Sequence, residues 1–116
     1  MVVELVENSI DQVFQALADS TRRDIVRRSL DGEHSVSTLA HHYPMSFAAV
    51  QKHVSVLERA ELITKRRHGR EQLVRGNVQT IRGAYEQLEQ LEQVWRSRIG
   101  RMEEILTEDL NEGALT

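Results

Sequence analysis

The sequence predicts a mainly α domain, α+β by content, with one β-hairpin. Three observations carry that prediction. Met45–Ile63, MSFAAVQKHVSVLERAELI, has the periodicity of an amphipathic helix. A basic segment with a central glycine, KRRHGREQLVR at Lys65–Arg75, follows it directly. The stretch 80–110 then repeats its apolar residues at heptad spacing. Helix, turn, helix and basic hairpin in that order make a winged helix-turn-helix with a two-stranded β wing and a long C-terminal dimerisation helix. With 116 residues a single domain is expected over 1–116, its winged-helix core at 10–79 and its dimerisation helix at 80–110.

Ser9 is placed to cap a first helix of about Ile10–Ala18, with Val13, Phe14 and Leu17 on its apolar face. Asp19 caps the next, STRRDIVRRSL, in which Ile25, Val26 and Leu30 point inward. Asp31-Gly32 ends that helix, the glycine supplying a left-handed stop. Arg22, Arg23, Arg27 and Arg28 occupy adjacent strips of its surface. They read as a solvated face pairing with Asp24 and Glu33, or as one or two phosphate contacts. In SVSTLAHHY, Ser35 or Ser37 caps a short helix that buries Val36, Leu39 and Ala40. The turn Tyr43-Pro44-Met45 follows, and Pro44 separates this helix from the next.

Ser46 is the expected N-cap of the fourth helix. Phe47, Val50, Val54, Leu57 and Ala60 fall at i, i+3, i+7, i+10 and i+13 and form one apolar stripe that must face a core. The other side carries Ser46, Ala48, Ala49, Gln51, Lys52, Ser55 and Arg59. Such small or hydrogen-bonding side chains let a helix sit deep in a DNA major groove, where Gln51 suits adenine and Lys52 suits guanine or phosphate. Leu62–Arg67 and Glu71–Arg75 read as two strands joined at His68-Gly69-Arg70, with Gly69 free to take positive φ. Arg67, His68 and Arg70 at the wing tip are the candidates for contact with the DNA backbone or minor groove.

In the last helix Ile81, Leu88, Trp95 and Met102 lie seven apart, with Tyr85, Leu91 and Ile99 in the rows between. A helix over 80–110 is about 46 Å long at 1.5 Å per residue, more than the width of a small domain. Part of its stripe therefore calls for a second copy of the chain. The expected dimer interface is Phe14, Ile81, Tyr85, Leu88, Leu91, Trp95, Ile99 and Met102. A palindromic operator with half-sites about one helical turn apart would match such a two-fold dimer. The tail NEGALT is expected to fray.

The net charge of −3 hides an uneven distribution. Residues 19–75 hold eleven Lys/Arg against seven Asp/Glu, and the flanking segments are acidic. Local charge, not the total, sets phosphate attraction. The absence of cysteine excludes disulfides, thiol catalysis and thiolate metal sites and fits a reducing cytoplasm. MVVELVENSI lacks the basic start of a signal peptide, and no apolar run approaches the roughly 18 residues of a membrane span. His41 and His42 are neighbours on different helix sides, and His34 with His42 makes only an adventitious pair, so no metal and no cofactor is expected. No nucleophile–base set or phosphate-cradling loop suggests an enzyme.

ALADSTRRDIVRRSLDG resembles the "LADPTRRRIL" opening of ArsR/SmtB-type bacterial repressors, with Ser20 where proline is common. MSFAAVQKHVSVLERAELI is similar to that family's reading helix, and RRHGREQLVR resembles its wing. The likeness covers roughly residues 10–110. It implies a cytoplasmic homodimeric transcriptional regulator that binds a double-stranded DNA operator, in a subgroup without metal-site cysteines. By the same likeness His53 stands at the reading-helix histidine, with packing or a phosphate-facing position as its role. Gln51 replaces the usual Ser. Glu61 replaces the Gly of "AGL", so the turn into the wing is expected to be strained or differently built. An effector of unknown identity would enter near Trp95, Tyr85 and Phe14, although core and dimer packing explains these aromatics more simply. The competing reading is a protein–protein interaction module that uses the long helix, with DNA binding secondary or lost.

Overall fold

Side chains at three helix starts fix the local structure. The Asp19 carboxylate accepts the Arg22 N–H at 3.0 Å, Ser35 Oγ that of Thr38 at 3.0 Å, and Ser46 Oγ that of Ala49 at 3.1 Å. Each satisfies an amide that the first turn of a helix leaves open. The computed structural model describes residues 2–115. Its elements run α1 (Val2–Leu17), α2 (Ser20–Asp31), β1 (His34–Ser35), α3 (Val36–Ala40), α4 (Phe47–Arg59), β2 (Ile63–His68), β3 (Glu71–Gly76) and α5 (Val78–Leu115).

Ser9 lies inside α1 rather than at its start, and the segment expected to fray after Leu110 continues α5 to Leu115. Gly32 does not supply a left-handed stop: its φ is 178°, extended backbone, although its N–H still bonds the Arg28 carbonyl at 3.2 Å. The extension has a purpose, because the chain passes straight into β1. That two-residue strand adds to the expected two-stranded wing. It pairs antiparallel with β3, His34 opposite Val74 and Ser35 opposite Leu73, in a sheet of order β1-β3-β2.

In β2 and β3, Ile63 pairs with Gly76 and His68 with Glu71, leaving Gly69-Arg70 as a two-residue loop. Gly69 has φ 63°, so the first loop position is the left-handed one that such hairpins reserve for glycine. Gly76 has a different reason. A Cβ there would meet Leu30 side-chain carbons at 2.7 Å and the Leu30 backbone nitrogen at 2.9 Å. The end of α2 crosses β3 too closely for any side chain.

The link from α4 to β2 is a Schellman close. Leu62 N–H bonds the Leu57 carbonyl at 3.0 Å and Glu61 N–H that of Glu58 at 3.0 Å. This geometry needs a left-handed residue at position 61, and Glu61 takes it with φ 61°. Two donors hold the turn, Asn77 Nδ2 just before α5 at 2.9 Å and Thr80 Oγ1 in its first turn at 2.6 Å from the Glu61 carbonyl.

The chain divides into two compact units, Met1–Ala84 and Tyr85–Thr116. The first contains the core: Ile25 and Val26 of α2, Leu39 of α3, Val50, Val54 and Leu57 of α4, Leu62, Ile63, Val74, and Ala84. Two residues expected inside are not. Leu30 is 43% exposed, lying over Gly76 at the edge, and Phe47 is 47% exposed at the first turn of α4. The second unit is the remainder of α5, which exposes an apolar stripe along its length. No helix among the described residues is long and apolar enough to cross a membrane.

A side chain held in the left-handed region costs about 1–2 kcal/mol relative to glycine, partly offset by glycine's greater freedom when unfolded. Glu61→Gly should therefore raise the unfolding free energy by roughly 0.5–1 kcal/mol in urea melts. A lower stability would mean that the Glu61 side chain contributes more than its backbone costs.

Candidate nucleic-acid interface

Val50 and Leu57 of α4 are fully buried and Val54 nearly so. Successive residues turn by about 100° on a helix, so the face opposite that stripe is set. It presents Ala48, Gln51, Lys52 and Arg59, all exposed, with Ser55 half-buried among them. Ser46 is exposed at the same end, its oxygen engaged in capping and its hydroxyl hydrogen still able to donate.

Beside this face lies an open groove of about 660 Å³, lined by Ala48, Gln51, Lys52, Ser55 and Arg59 of α4 and by Lys65 and Gln72 of the wing. Strand pairing explains the wing's share. Lys65 pairs with Val74 and Arg67 with Gln72. Alternate strand residues share a face, so Ile63, Lys65, Arg67, Gln72 and Val74 lie on the side whose base is buried in the core. Arg66 and His68 fall on the other side. Lys65 and Gln72 were missed in the sequence because their side depends on this register.

The register also sorts the cations. Arg66 binds Glu33 through two nitrogens at 2.8 and 3.0 Å, and this pair holds the Glu33 carboxyl below its ordinary range. Lys65 lies 3.4 Å from Glu58. Arg22 donates to the Ala16 and Gln15 carbonyls at 2.7 and 3.0 Å, and Arg23 to that of Leu17 at 2.8 Å, closing the C-terminus of α1. Arg27 and Arg28 both bind Asp24. All four α2 arginines thus have acceptors within the protein, and Glu33 pairs with Arg66 rather than with them. Lys52, Arg59 and Arg70 have no such partner among the described residues, and Arg67 reaches only the Gly69 carbonyl at 3.3 Å. These uncommitted cations lie on the outer face of α4 and on the wing.

His53 stands apart from the other predicted site residues. Its partly buried ring points toward the start of α2, with Nδ1 3.4 Å from Arg22 Nη1 and 3.9 Å from Asp19 Oδ2. It lies on the flank of α4 nearer the core and ties the helix to α2. A second tie runs from the turn before α4. Tyr43 donates to Asp24 Oδ2 at 2.7 Å. Hydrogen bonds from Arg27, Arg28 and Tyr43 hold the Asp24 carboxyl far below the usual range, while burial and the bond to Asp24 push the Tyr43 phenol up to about 12.

Of the residues expected to join two copies, Phe14 and Ile81 are partly buried against the core of the first unit. Tyr85, Leu88, Leu91, Trp95, Ile99 and Met102 are exposed. Leu88, Leu91, Trp95, Ile99, Met102 and Leu106 follow one another at intervals of three and four and so share one face of α5. No group of three or more His, Asp or Glu among the described residues is placed to hold a metal ion.

No family model matches the chain. The HTH-type transcriptional regulator Rv2034 of Mycobacterium tuberculosis is 46% identical over 61 residues, 53% of this chain and 57% of that protein. The transcriptional repressor SdpR of Bacillus subtilis is 32% identical over 60 residues, 52% of this chain and 67% of that protein. The chain thus spans little more than half the length of the mycobacterial relative. Among solved structures, an ArsR-like transcriptional regulator from Rhodococcus sp. RHA1 matches with a TM-score of 0.74 at 28% identity, over 85% of this chain and 93% of its own.

Tyr43→Phe removes the hydrogen bond to a carboxylate and should lower stability by about 1–2 kcal/mol at pH 7. Because the folded phenol titrates above its ordinary value of 10.0, its contribution is complete below about pH 10 and fades as pH rises toward 12. Denaturant melts at pH 7, 9 and 11 should show the gap between wild type and variant constant at the first two and narrower at the third. A gap unchanged at pH 11 would contradict this assignment.

Proposed function

Because this chain belongs to the ArsR family of winged helix-turn-helix transcriptional regulators, we propose that it binds a palindromic operator in duplex DNA as a homodimer and represses transcription. The observation that carries the proposal is the outward face of α4, where Ala48, Gln51, Lys52 and Ser55 stand beside a wing whose tip cations are uncommitted. Small side chains at Ala48 and Ser55 let the helix approach the groove floor. Gln51 offers the donor–acceptor pair that matches adenine N7 and N6, and Lys52 addresses guanine or a phosphate. Arg67 and Arg70 bind the backbone beside the groove, with His68 on the wing's other face. Ser46 donates to a phosphate from the helix start. His53 serves inside the protein by keeping α4 seated on α2.

The partner in this reading is a second copy, joined along Leu88, Leu91, Trp95, Ile99 and Met102 with Tyr85 at the near end. An apolar stripe of this length, left exposed in one copy, marks an interface. Two-fold symmetry then sets two reading helices on half-sites about one DNA turn apart. Repression follows from occupying the DNA that polymerase needs, in the cytoplasm where that DNA lies. The name of the Bacillus relative supports this sign of regulation.

Binding titrations against a duplex enriched from random DNA test the roles. Gln51→Ala should cost about 1–3 kcal/mol on that duplex and leave non-specific binding intact. An unchanged preference would show that α4 does not read bases through Gln51. Arg70→Ala should weaken all sequences alike and flatten the dependence of log affinity on log salt by about 0.9 per lost phosphate contact. In sedimentation, Leu91→Glu should convert the dimer to monomer. A dimer that persists in this variant would place the interface elsewhere, and a chain monomeric from the outset would favour a different protein on this helix.

A further inference from the structure

Phe47 has no part in the site described so far. Its spacing from Val50 and Val54 matches the buried stripe, yet it is 47% exposed. Tyr43 and Met45, just before it, are partly buried against the core, whereas nearly half of Phe47 is left exposed. It directly follows the N-cap Ser46 and lies one helical turn before Gln51, offset by only about 40° around the helix axis. An exposed phenyl ring therefore stands at the leading end of α4, beside the residue positioned for base recognition.

Residues at the N-terminal end of a reading helix are the ones that reach base edges. A phenyl ring has no hydrogen bond to offer a phosphate or a polar base edge. The major-groove edges of adenine, guanine and cytosine present only donors and acceptors, whereas thymine adds an apolar C5 methyl group. We infer that Phe47 is a specificity-determining residue that selects thymine by packing on this methyl group, next to the base pair addressed by Gln51. The inference rests on the proposed DNA-reading role of α4 and adds a base preference that polar readout alone would not produce.

The test uses the full chain and the duplex enriched from random DNA, with each thymine replaced singly by deoxyuridine, which lacks only the methyl group. One position in each half-site should bind wild type about fourfold more weakly when substituted, the value of one buried methyl. The other thymines should be indifferent. Phe47→Ala should bind the thymine and uracil forms of that position equally. The variant should also retain wild-type helicity and salt-dependent binding to unrelated duplex, which shows that it is folded. Indifference of wild type to every uracil substitution overturns the inference, as does a uracil effect undiminished in Phe47→Ala. If wild type enriches no duplex and binds none at low salt, the DNA-reading role itself fails and takes this inference with it.

Discussion

The burial of Val50, Val54 and Leu57 fixes the rotation of α4, and everything presented to the outside follows from it. Fully burying one such aliphatic side chain stabilises by about 1.5–3 kcal/mol, so three in register leave the helix no alternative orientation of comparable energy. A one-residue slip would turn the helix by about 100° and put Ala49 or Gln51 where Val50 belongs, and His53 or Ser55 where Val54 belongs. Translation along the axis is fixed at both ends, by the Ser46 cap and by the Schellman close at Glu61. Sideways movement is opposed by two polar ties to α2, His53 on Arg22 and Tyr43 on Asp24. A DNA-reading helix needs such a mount, because base recognition depends on placing amide and methyl contacts to within a fraction of an ångström.

The chain's positive charge is divided between scaffold and surface. Six of the basic side chains between Arg22 and Arg66 meet acceptors inside the protein, where they close α1, brace α2 and anchor the wing to Glu33. What remains for an anionic partner is a small set centred on Lys52, Arg59, Arg67 and Arg70. A total charge of −3 is thus compatible with DNA binding, provided these few cations face the backbone together. The same division suits a protein that discriminates sequences, since a large non-specific attraction would dilute the energy contributed by base contacts.

Much of this was legible from local pattern. The caps at Asp19 and Ser46, the α4 stripe and the glycine in the wing are written in residues within one or two turns of each other. What was not legible depended on partners far along the chain. Strand β1 is only two residues long and exists because β3, some forty positions later, offers its edge. The extended Gly32 and the outward Leu30 follow from that crossing. Arg22 and Arg23 read as surface charge until α1 ends beside them. The α4 stripe was right in its middle and wrong at Phe47, because spacing gives direction but not how far the core extends. Phe14 and Ile81, expected at the dimer interface, each pack partly against the core of their own copy. The unusual turn at Glu61 was legible only through the family likeness, which has Gly there; the left-handed φ of 61° is what the structure adds.

In the proposed function, α4 and the wing meet specific DNA as a two-fold pair. Selecting genomic fragments with the purified full chain at two salt concentrations, and sequencing what is retained, tests it most directly. The expected result is an inverted repeat that survives the higher salt, its half-sites about one turn apart. Retention of unrelated fragments at low salt alone, or of none at either concentration, would contradict it.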